Sequence, residues 1–246
     1  MEKEKALKGA IKKAVSYTYV KGIGYLFIPL ILRQFRNSIL QIHNISDALE
    51  FAFSFRSFGV SIKPSQVKYE IAKLLEIVTE IKPRNLLEIG TANGGTLFLF
   101  AIASDPSAKI ISVDLPGGPF GGGYPRWKIP LYKRFAKEGQ KIYLIRDDSH
   151  SKQTLEKVKG ILNGEMLDFL FIDGDHSYEG VKKDFEMYSP LVRSGGIIAF
   201  HDICPHPPET KCEVNRFWNE IKQSYKYVEI VEDWKQNWAG IGVIYV

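Results

Sequence analysis

The 246-residue sequence has only two cysteines, Cys204 and Cys212. Two thiols are too few for a disulfide-stapled scaffold and suit a reducing compartment. Nothing approaches the roughly twenty apolar residues that a membrane-spanning helix needs; the apolar stretch from Ile23 to Leu32 has ten. No small-residue cleavage site follows it, since the next residues are Arg33-Gln-Phe-Arg36, so a secretory leader is not expected. Repeats and low-complexity tracts are missing too. Apolar residues at 45% and charged residues at 25% are ordinary for a globular chain and exclude disordered and collagen-like classes.

Evenly spread positive charge is also lacking. The first 36 residues hold eight Lys and Arg against two Glu, a local +6 in a chain of net +5, so the remaining 210 residues sum to −1. A nucleic-acid groove needs basic residues across the folded body, and none is expected here. The basic, partly apolar N-terminus has two readings. One is a helical arm packed on the main body or on a second subunit of a homo-oligomer. The other is peripheral contact of residues 1–36 with an anionic membrane surface. The first is preferred, and the expected location is cytoplasmic.

Residues 1–62 read as a helical extension, with Ser46 as an N-cap ahead of Asp47 and Glu50. Residues 63–246 read as the main domain. From Gln66 to Ile81 the apolar residues Val67, Ile71, Leu74, Leu75 and Val78 recur at helical spacing, and Pro83 ends the run. Beyond it, short β-rich runs alternate with helical ones: Asn85–Ile89, Lys109–Val113, Ile142–Ile145, Asp168–Ile172 and Gly196–Phe200. Two further strands are expected at Tyr227–Val231 and Ile241–Val246. The pattern predicts an α/β fold with a doubly wound, mostly parallel sheet.

Each of the five main strands ends in a polar or glycine-bearing step: Glu88-Ile-Gly90, Asp114, Asp147-Asp148-Ser149, Asp173-Gly-Asp175-His176 and His201-Asp202. In a parallel sheet these carboxyl ends share one edge, the edge at which open α/β sheets bind ligands. The first turn, Glu88-Ile-Gly90-Thr91-Ala-Asn-Gly94-Gly95, spaces its glycines differently from the Gly-x-Gly-x-x-Gly of dinucleotide-binding turns. Glu88 would repel an anionic pyrophosphate, whereas it suits the sulfonium and ammonium groups of S-adenosylmethionine. Asp114, 24 residues after Gly90, is placed to accept hydrogen bonds from both hydroxyls of a ribose.

Four segments in order, LLEIGTANGGTLFLF, SVDLPGG, DFLFIDGDHSYEGVKKDFEMYSPLV and GGIIAFHDI, resemble the class I S-adenosylmethionine-dependent methyltransferases. Within them they are similar to the cephalosporin-hydroxylase-like and macrocin-type sugar O-methyltransferases. The resemblance covers about residues 65–246. It implies a seven-stranded sheet with an antiparallel last strand. It further implies that Glu88, Gly90, Thr91 and Gly94 frame the methionine part of the cofactor, that Asp114 holds the ribose, and that Asp148 and Ser149, within the Asp147-Asp148-Ser149 step, lie beside the adenine.

On the acceptor side, neighbouring strand ends bring Asp173 and Asp202 together. Paired carboxylates suit Mg²⁺ or another divalent metal, and the resemblance implies the same two acids. His201 departs from the family, which more often has an acid there, and would shift preference toward Mn²⁺, Fe²⁺ or Zn²⁺. A metal lowers the pKa of a bound hydroxyl, and a base must take its proton. Asp175 and His176 are the candidates; the resemblance favours Asp175, the unperturbed pKa favours His176. The aromatic residues of the following helix, Phe185 and Tyr188, read as core.

The run Pro116-Gly-Gly-Pro-Phe-Gly-Gly-Gly-Tyr-Pro125 reads as a mobile loop suited to a lid, with Tyr124, Arg126 and Trp127 as possible substrate contacts. His201, Cys204, His206 and Cys212 have zinc-ligand chemistry, but their spacing matches no common zinc pattern. The expected activity is O-methylation of a small-molecule acceptor, a sugar or glycolipid hydroxyl by family analogy. The competing expectation is a non-catalytic S-adenosylmethionine-binding or membrane-docked partner protein.

Overall fold

The strands form where apolar residues run nearly unbroken, because both faces of the sheet are covered by helices. A computed structural model describes residues 24–118, 120 and 122–246; the basic stretch before Gly24 lies outside the described residues. Among the described residues, three helices precede the main sheet: α1 (Gly24–Ile39), α2 (Ile45–Ser54) and α3 (Lys68–Ile81). Between α2 and α3 lies a small hairpin, β1 (Arg56–Ser57) with β2 (Val60–Ser61). The cap of α2 is Asn44, whose side chain accepts from the Asp47 amide at 2.9 Å. Ser46 is therefore the second residue of the helix and not its cap; either residue type could cap, and the chain turns two positions earlier. Helix α3 ends as expected: Lys82 takes a left-handed conformation and Pro83 follows.

The main sheet contains β3 (Asn85–Ile89), β4 (Lys109–Val113), β5 (Lys141–Ile145), β6 (Leu167–Ile172), β7 (Val192–His201), β8 (Lys226–Ile230) and β9 (Ile241–Tyr245). Their spatial order is β5-β4-β3-β6-β7-β9-β8. The pairs from β5 across to β7 are parallel, and β9 is antiparallel to both β7 and β8. The antiparallel last strand matches the expectation. Helices α4 (Gly95–Ala103), α5 (Ile129–Lys133), α6 (Lys152–Leu162), α7 (Tyr178–Tyr188) and α8 (Val214–Ile221) lie in the connections.

The alternation along β6 shows the two-sided core. Phe169 and Phe171 pack with Ile31, Phe35, Leu74, Phe98 and Phe100 on one face. Leu170 and Ile172 pack with Val158, Val181, Phe185 and Trp218 on the other. Ile31 and Phe35 of α1 and Ala48 and Ala52 of α2 are thus part of the same core as the sheet. The order of strands reverses between β3 and β6, and the crevice at their carboxyl ends is the ligand position of open α/β sheets.

Candidate active site

A cleft of about 640 Å³ opens at this reversal. Gly90, Asp114, Asp148, Ser149, Asp173, Asp175, His176, His201 and Asp202 all line it. Among the predicted residues, Glu88, Thr91 and Gly94 lie beneath its surface and shape it from below.

The turn after β3 is built on close backbone contact. Gly90 has φ +94°, and a Cβ there would lie 1.8 Å from the Asp173 carbonyl oxygen. Only glycine fits, so the turn after β3 and the end of β6 are pressed together. Gly94, at φ +86°, begins α4; a Cβ there would meet the Tyr132 ring at 2.7 Å. Thr91 hydrogen-bonds through its hydroxyl to Ser112 Oγ, which braces the turn against β4.

Glu88 is fully buried, and neither of its carboxylate oxygens makes a hydrogen bond of normal geometry among the described residues. Burial raises its pKa to about 8, against the opposing effect of the nearby Thr96 and Thr91 hydroxyls. An unpaired buried acid of this kind costs stability in isolation. Asp114 is also buried, and its Oδ2 accepts the Ala92 amide at 2.9 Å. Burial lifts its pKa to about 6, with the Ala92, Gly123 and Thr91 amides pulling the other way.

After β5, Asp147 accepts the Asp148 amide at 3.0 Å and pairs with Lys157 at 2.8 Å. Asp148 accepts the His150 amide at 2.8 Å, and the Ser149 carbonyl accepts the Tyr188 hydroxyl at 2.7 Å. His150 also lines the cleft and faces the buried Asp184 at 3.3 Å. That histidine was not singled out from the sequence; it follows Asp-Asp-Ser directly, and its position there was the available signal.

On the acceptor side, Asp173 receives a hydrogen bond on Oδ2 from Gln66 Nε2 at 2.7 Å and faces His201 Nδ1 from Oδ1 at 3.1 Å. Asp202 faces His176 Nδ1 at 2.9 Å, His201 Nδ1 at 3.3 Å and His206 Nε2 at 3.2 Å. Asp202 has φ +65°, a left-handed conformation that aspartate tolerates better than most residues. Its Oδ1 accepts the Ala239 amide at 3.1 Å. The donor atoms of Asp173, His201 and Asp202 all lie within 4.8 Å of one another, as a shared cation requires.

Burial lowers the pKa of His176, but hydrogen bonds to Asp202 and Cys212 and the charges of Asp173 and Asp202 outweigh it and raise the value to about 10. His176 is therefore a cation near pH 7. Asp175 accepts both the amide and the hydroxyl of Ser177 on Oδ1, at 2.9 and 2.7 Å, at the head of α7.

One expectation changes. Tyr124 and Trp127 are buried, at 2% and 3% exposure, and do not line the cleft; Tyr124 packs on Tyr132, and Gly24 of α1 lies against Trp127. The loop instead reaches the site through Phe120, whose ring stacks on His176 at 5.0 Å between centroids. In keeping with their irregular spacing, His201, Cys204, His206 and Cys212 do not form one ligand set: the Cys204 thiol is buried beside Gly240 and Gln236. Trp238, 45% exposed, lines the cleft from the segment before β9; isolated by turn residues, it carried no periodic signal.

Residues 87–203 match the family model described as a methyltransferase domain. The match covers 117 of the 246 residues of the chain. Its fold is that of the class I methyltransferases, shared with the O-methyltransferase from Bacillus cereus, solved in complex with SAH (TM-score 0.55, 15% identity, 87% of this chain and 96% of that one). It is shared equally with the O-methyltransferase TomG from Streptomyces achromogenes, in complex with SAM (TM-score 0.54, 16% identity, 86% and 94%). In sequence, the chain is 31% identical over 126 residues to the probable caffeoyl-CoA O-methyltransferase 3 of Dictyostelium discoideum, covering 50% of this chain and 45% of the relative. It is 32% identical over 145 residues to an uncharacterized protein of Acanthamoeba polyphaga mimivirus, covering 57% and 62%. The chain thus spans less than two thirds of the curated relatives it matches. Among the described residues, no helix is long and apolar enough to cross a membrane.

Proposed function

We propose that the protein transfers the methyl group of S-adenosylmethionine to a hydroxyl oxygen of a small-molecule acceptor, a sugar or similar polyol. The observation that carries this reading is the cleft at the carboxyl ends of the parallel strands, rimmed by Asp114, Asp148, Asp173 and Asp202. Such a site repels a dinucleotide and attracts a ligand with a sulfonium and an ammonium. Asp114 is placed to accept the ribose hydroxyls, and Asp148, Ser149 and His150 flank the adenine side.

In the transfer, the acceptor oxygen forms a bond to the methyl carbon as the carbon–sulfur bond breaks, leaving the neutral thioether S-adenosylhomocysteine. The hydroxyl proton leaves to a base on the protein. Asp175 takes that role in our reading, because both ring nitrogens of His176 are turned to carboxylates, Nδ1 to Asp202 and Nε2 to Asp173, and not to the acceptor. A divalent cation bound by Asp173, His201 and Asp202 would supply Lewis acidity, lowering the pKa of the acceptor hydroxyl. Trp238 and Phe120 offer aromatic faces to the apolar side of a sugar ring.

The test is transfer of labelled methyl groups to a panel of sugars and catechols, with and without chelator. We expect transfer to a polyol, slowed by chelator, with a larger loss of kcat in Asp175→Asn than in His176→Gln. Tight binding of S-adenosylhomocysteine without transfer to any hydroxyl would instead favour a non-catalytic binding protein.

A further inference from the structure

Beside the Asp173–His201–Asp202 group, a second and chemically different set of donors converges. His176 leads out of β6, Asp202 and His206 follow β7, and Cys212 precedes α8. The donor atoms of His176, Asp202 and Cys212 lie within 4.8 Å of one another. The Cys212 thiol is within hydrogen-bond reach of both His176 and His206. Asp202 stands 2.9 Å from His176 Nδ1 and 3.2 Å from His206 Nε2.

We propose that His176, Asp202, His206 and Cys212 bind a zinc-class divalent ion as a closed, four-ligand site. Two nitrogens, one oxygen and one sulfur form a borderline-soft set that suits Zn²⁺ and disfavours Mg²⁺. The spacing fits as well. A tetrahedral ion with ligands at about 2.0–2.3 Å separates them by about 3.3–3.7 Å; Asp202 faces His176 at 2.9 Å and His206 at 3.2 Å, and His176, Asp202 and Cys212 offer atoms within 4.8 Å of one another, so small side-chain adjustments bring His206 into the same shell. The far side of the His206 ring is held by a hydrogen bond, as that of a metal-bound imidazole is, and that of His176 faces a carboxylate. His206 turns Nδ1 to the Cys204 carbonyl at 2.8 Å, leaving Nε2 for the ion. His176 turns Nε2 toward Asp173 Oδ1 at 3.6 Å, leaving Nδ1.

Four protein ligands leave no open position, so this ion is structural. It pins residues 203–213, with their three prolines, onto the turn between β6 and α7. The chain has one thiol at the site, because Cys204 faces Gly240 instead.

Cobalt reports the site without any acceptor or cofactor. Added to the chelator-treated full chain, one equivalent of Co²⁺ should give a near-ultraviolet thiolate-to-cobalt band and the intense visible bands of a tetrahedral site. Cys212→Ser should abolish the near-ultraviolet band, and both Cys212→Ser and His206→Gln should weaken Zn²⁺ binding at least tenfold. Asp173→Asn should keep the band. Absence of the band in the unaltered chain, or its persistence in Cys212→Ser, overturns the proposal. So does a band lost in Asp173→Asn while Cys212→Ser retains it. Circular dichroism of each variant confirms folding. Because the readout is metal binding, its failure leaves the methyl-transfer reading standing, and loss of methyl transfer leaves this site standing.

Discussion

Gln66 Nε2 donates to Asp173 Oδ2 at 2.7 Å across 107 residues of sequence. Gln66, two residues ahead of α3, thus fixes one oxygen of the Asp173 carboxylate and leaves the other to face His201. Gln66 is buried, so Gln66→Leu strips a hydrogen bond from a charged group and puts nothing in its place. Bonds of that kind are worth about 1.5–3 kcal/mol. We expect thermal denaturation to show a lower Tm by several degrees, at about 2–4 °C for each kcal/mol. We also expect methyl transfer to lose kcat more than it gains in KM for S-adenosylmethionine. An unchanged Tm would show that the bond contributes nothing net.

Glu88 makes stability depend on pH in an unusual direction. Its folded-state pKa is raised by burial from 4.5 to about 8. Between those values the folded chain keeps a proton that the unfolded chain releases, so stability falls as pH climbs from about 4.5 to about 8 and levels off above. Glu88→Gln removes this slope. Denaturant titrations should find the variant more stable than the parent at pH 8, while calorimetry finds its affinity for S-adenosylmethionine reduced. Parallel pH profiles for the two chains would refute the assignment.

Asp114 should set the acidic limit of cofactor binding. Burial raises its pKa to about 6, and only the ionised form accepts hydrogen bonds from two ribose hydroxyls. Affinity for S-adenosylhomocysteine should therefore weaken as pH drops below 6. At neutral pH, Asp114→Asn should weaken it by about 10–150-fold, the equivalent of about 1.5–3 kcal/mol. Titration calorimetry at pH 5 and pH 7.5 reads both effects.

Gly90→Ala should be the most damaging small substitution in the cofactor turn. The new methyl would meet the Asp173 carbonyl at 1.8 Å on a backbone of φ +94°, and the strand ends would have to part. We expect cofactor affinity to fall at least 100-fold, with cofactor-induced thermal stabilisation lost. Gly117→Ala is the contrast: it also has positive φ, but its methyl would enter open space, so only the modest cost of its conformation is expected.

Much of this architecture was legible because parallel strands buried on both faces leave an apolar signature. Asn85–Ile89 and Lys109–Val113 coincide with β3 and β4, and the other strands differ by a few residues at their ends. The acids at the strand ends were legible for the same reason: a polar residue that closes an apolar run stands out. What could not be read is what comes from elsewhere in the chain to meet them. Gln66 looks like the start of a helix, and Glu70 like its exposed face. Yet Glu70 is fully buried and accepts from Gln236 Nε2 at 2.7 Å, the Glu232 amide at 3.2 Å and the Gly240 amide at 2.9 Å. Periodicity reports which face of a helix is apolar, not which distant amides will satisfy a carboxylate. The exclusion of Cys204 from the histidine–cysteine group was hidden likewise, since the turn at Gly240 that receives it is 36 residues away.

The anchoring of the 232–240 segment by Glu70 bears on how this protein can be cut for laboratory work. Expressing only the stretch that matches the family model would discard α3, β8 and β9 together. It would remove Phe35 and Leu74 from the core they share with Phe169 and Phe171, and expose the flank of β7 that β9 now covers. An unpaired strand flank beside bared phenylalanines invites intermolecular pairing, so such a fragment should precipitate, whereas a boundary set ahead of α1 keeps helix, sheet and closing segment in one piece.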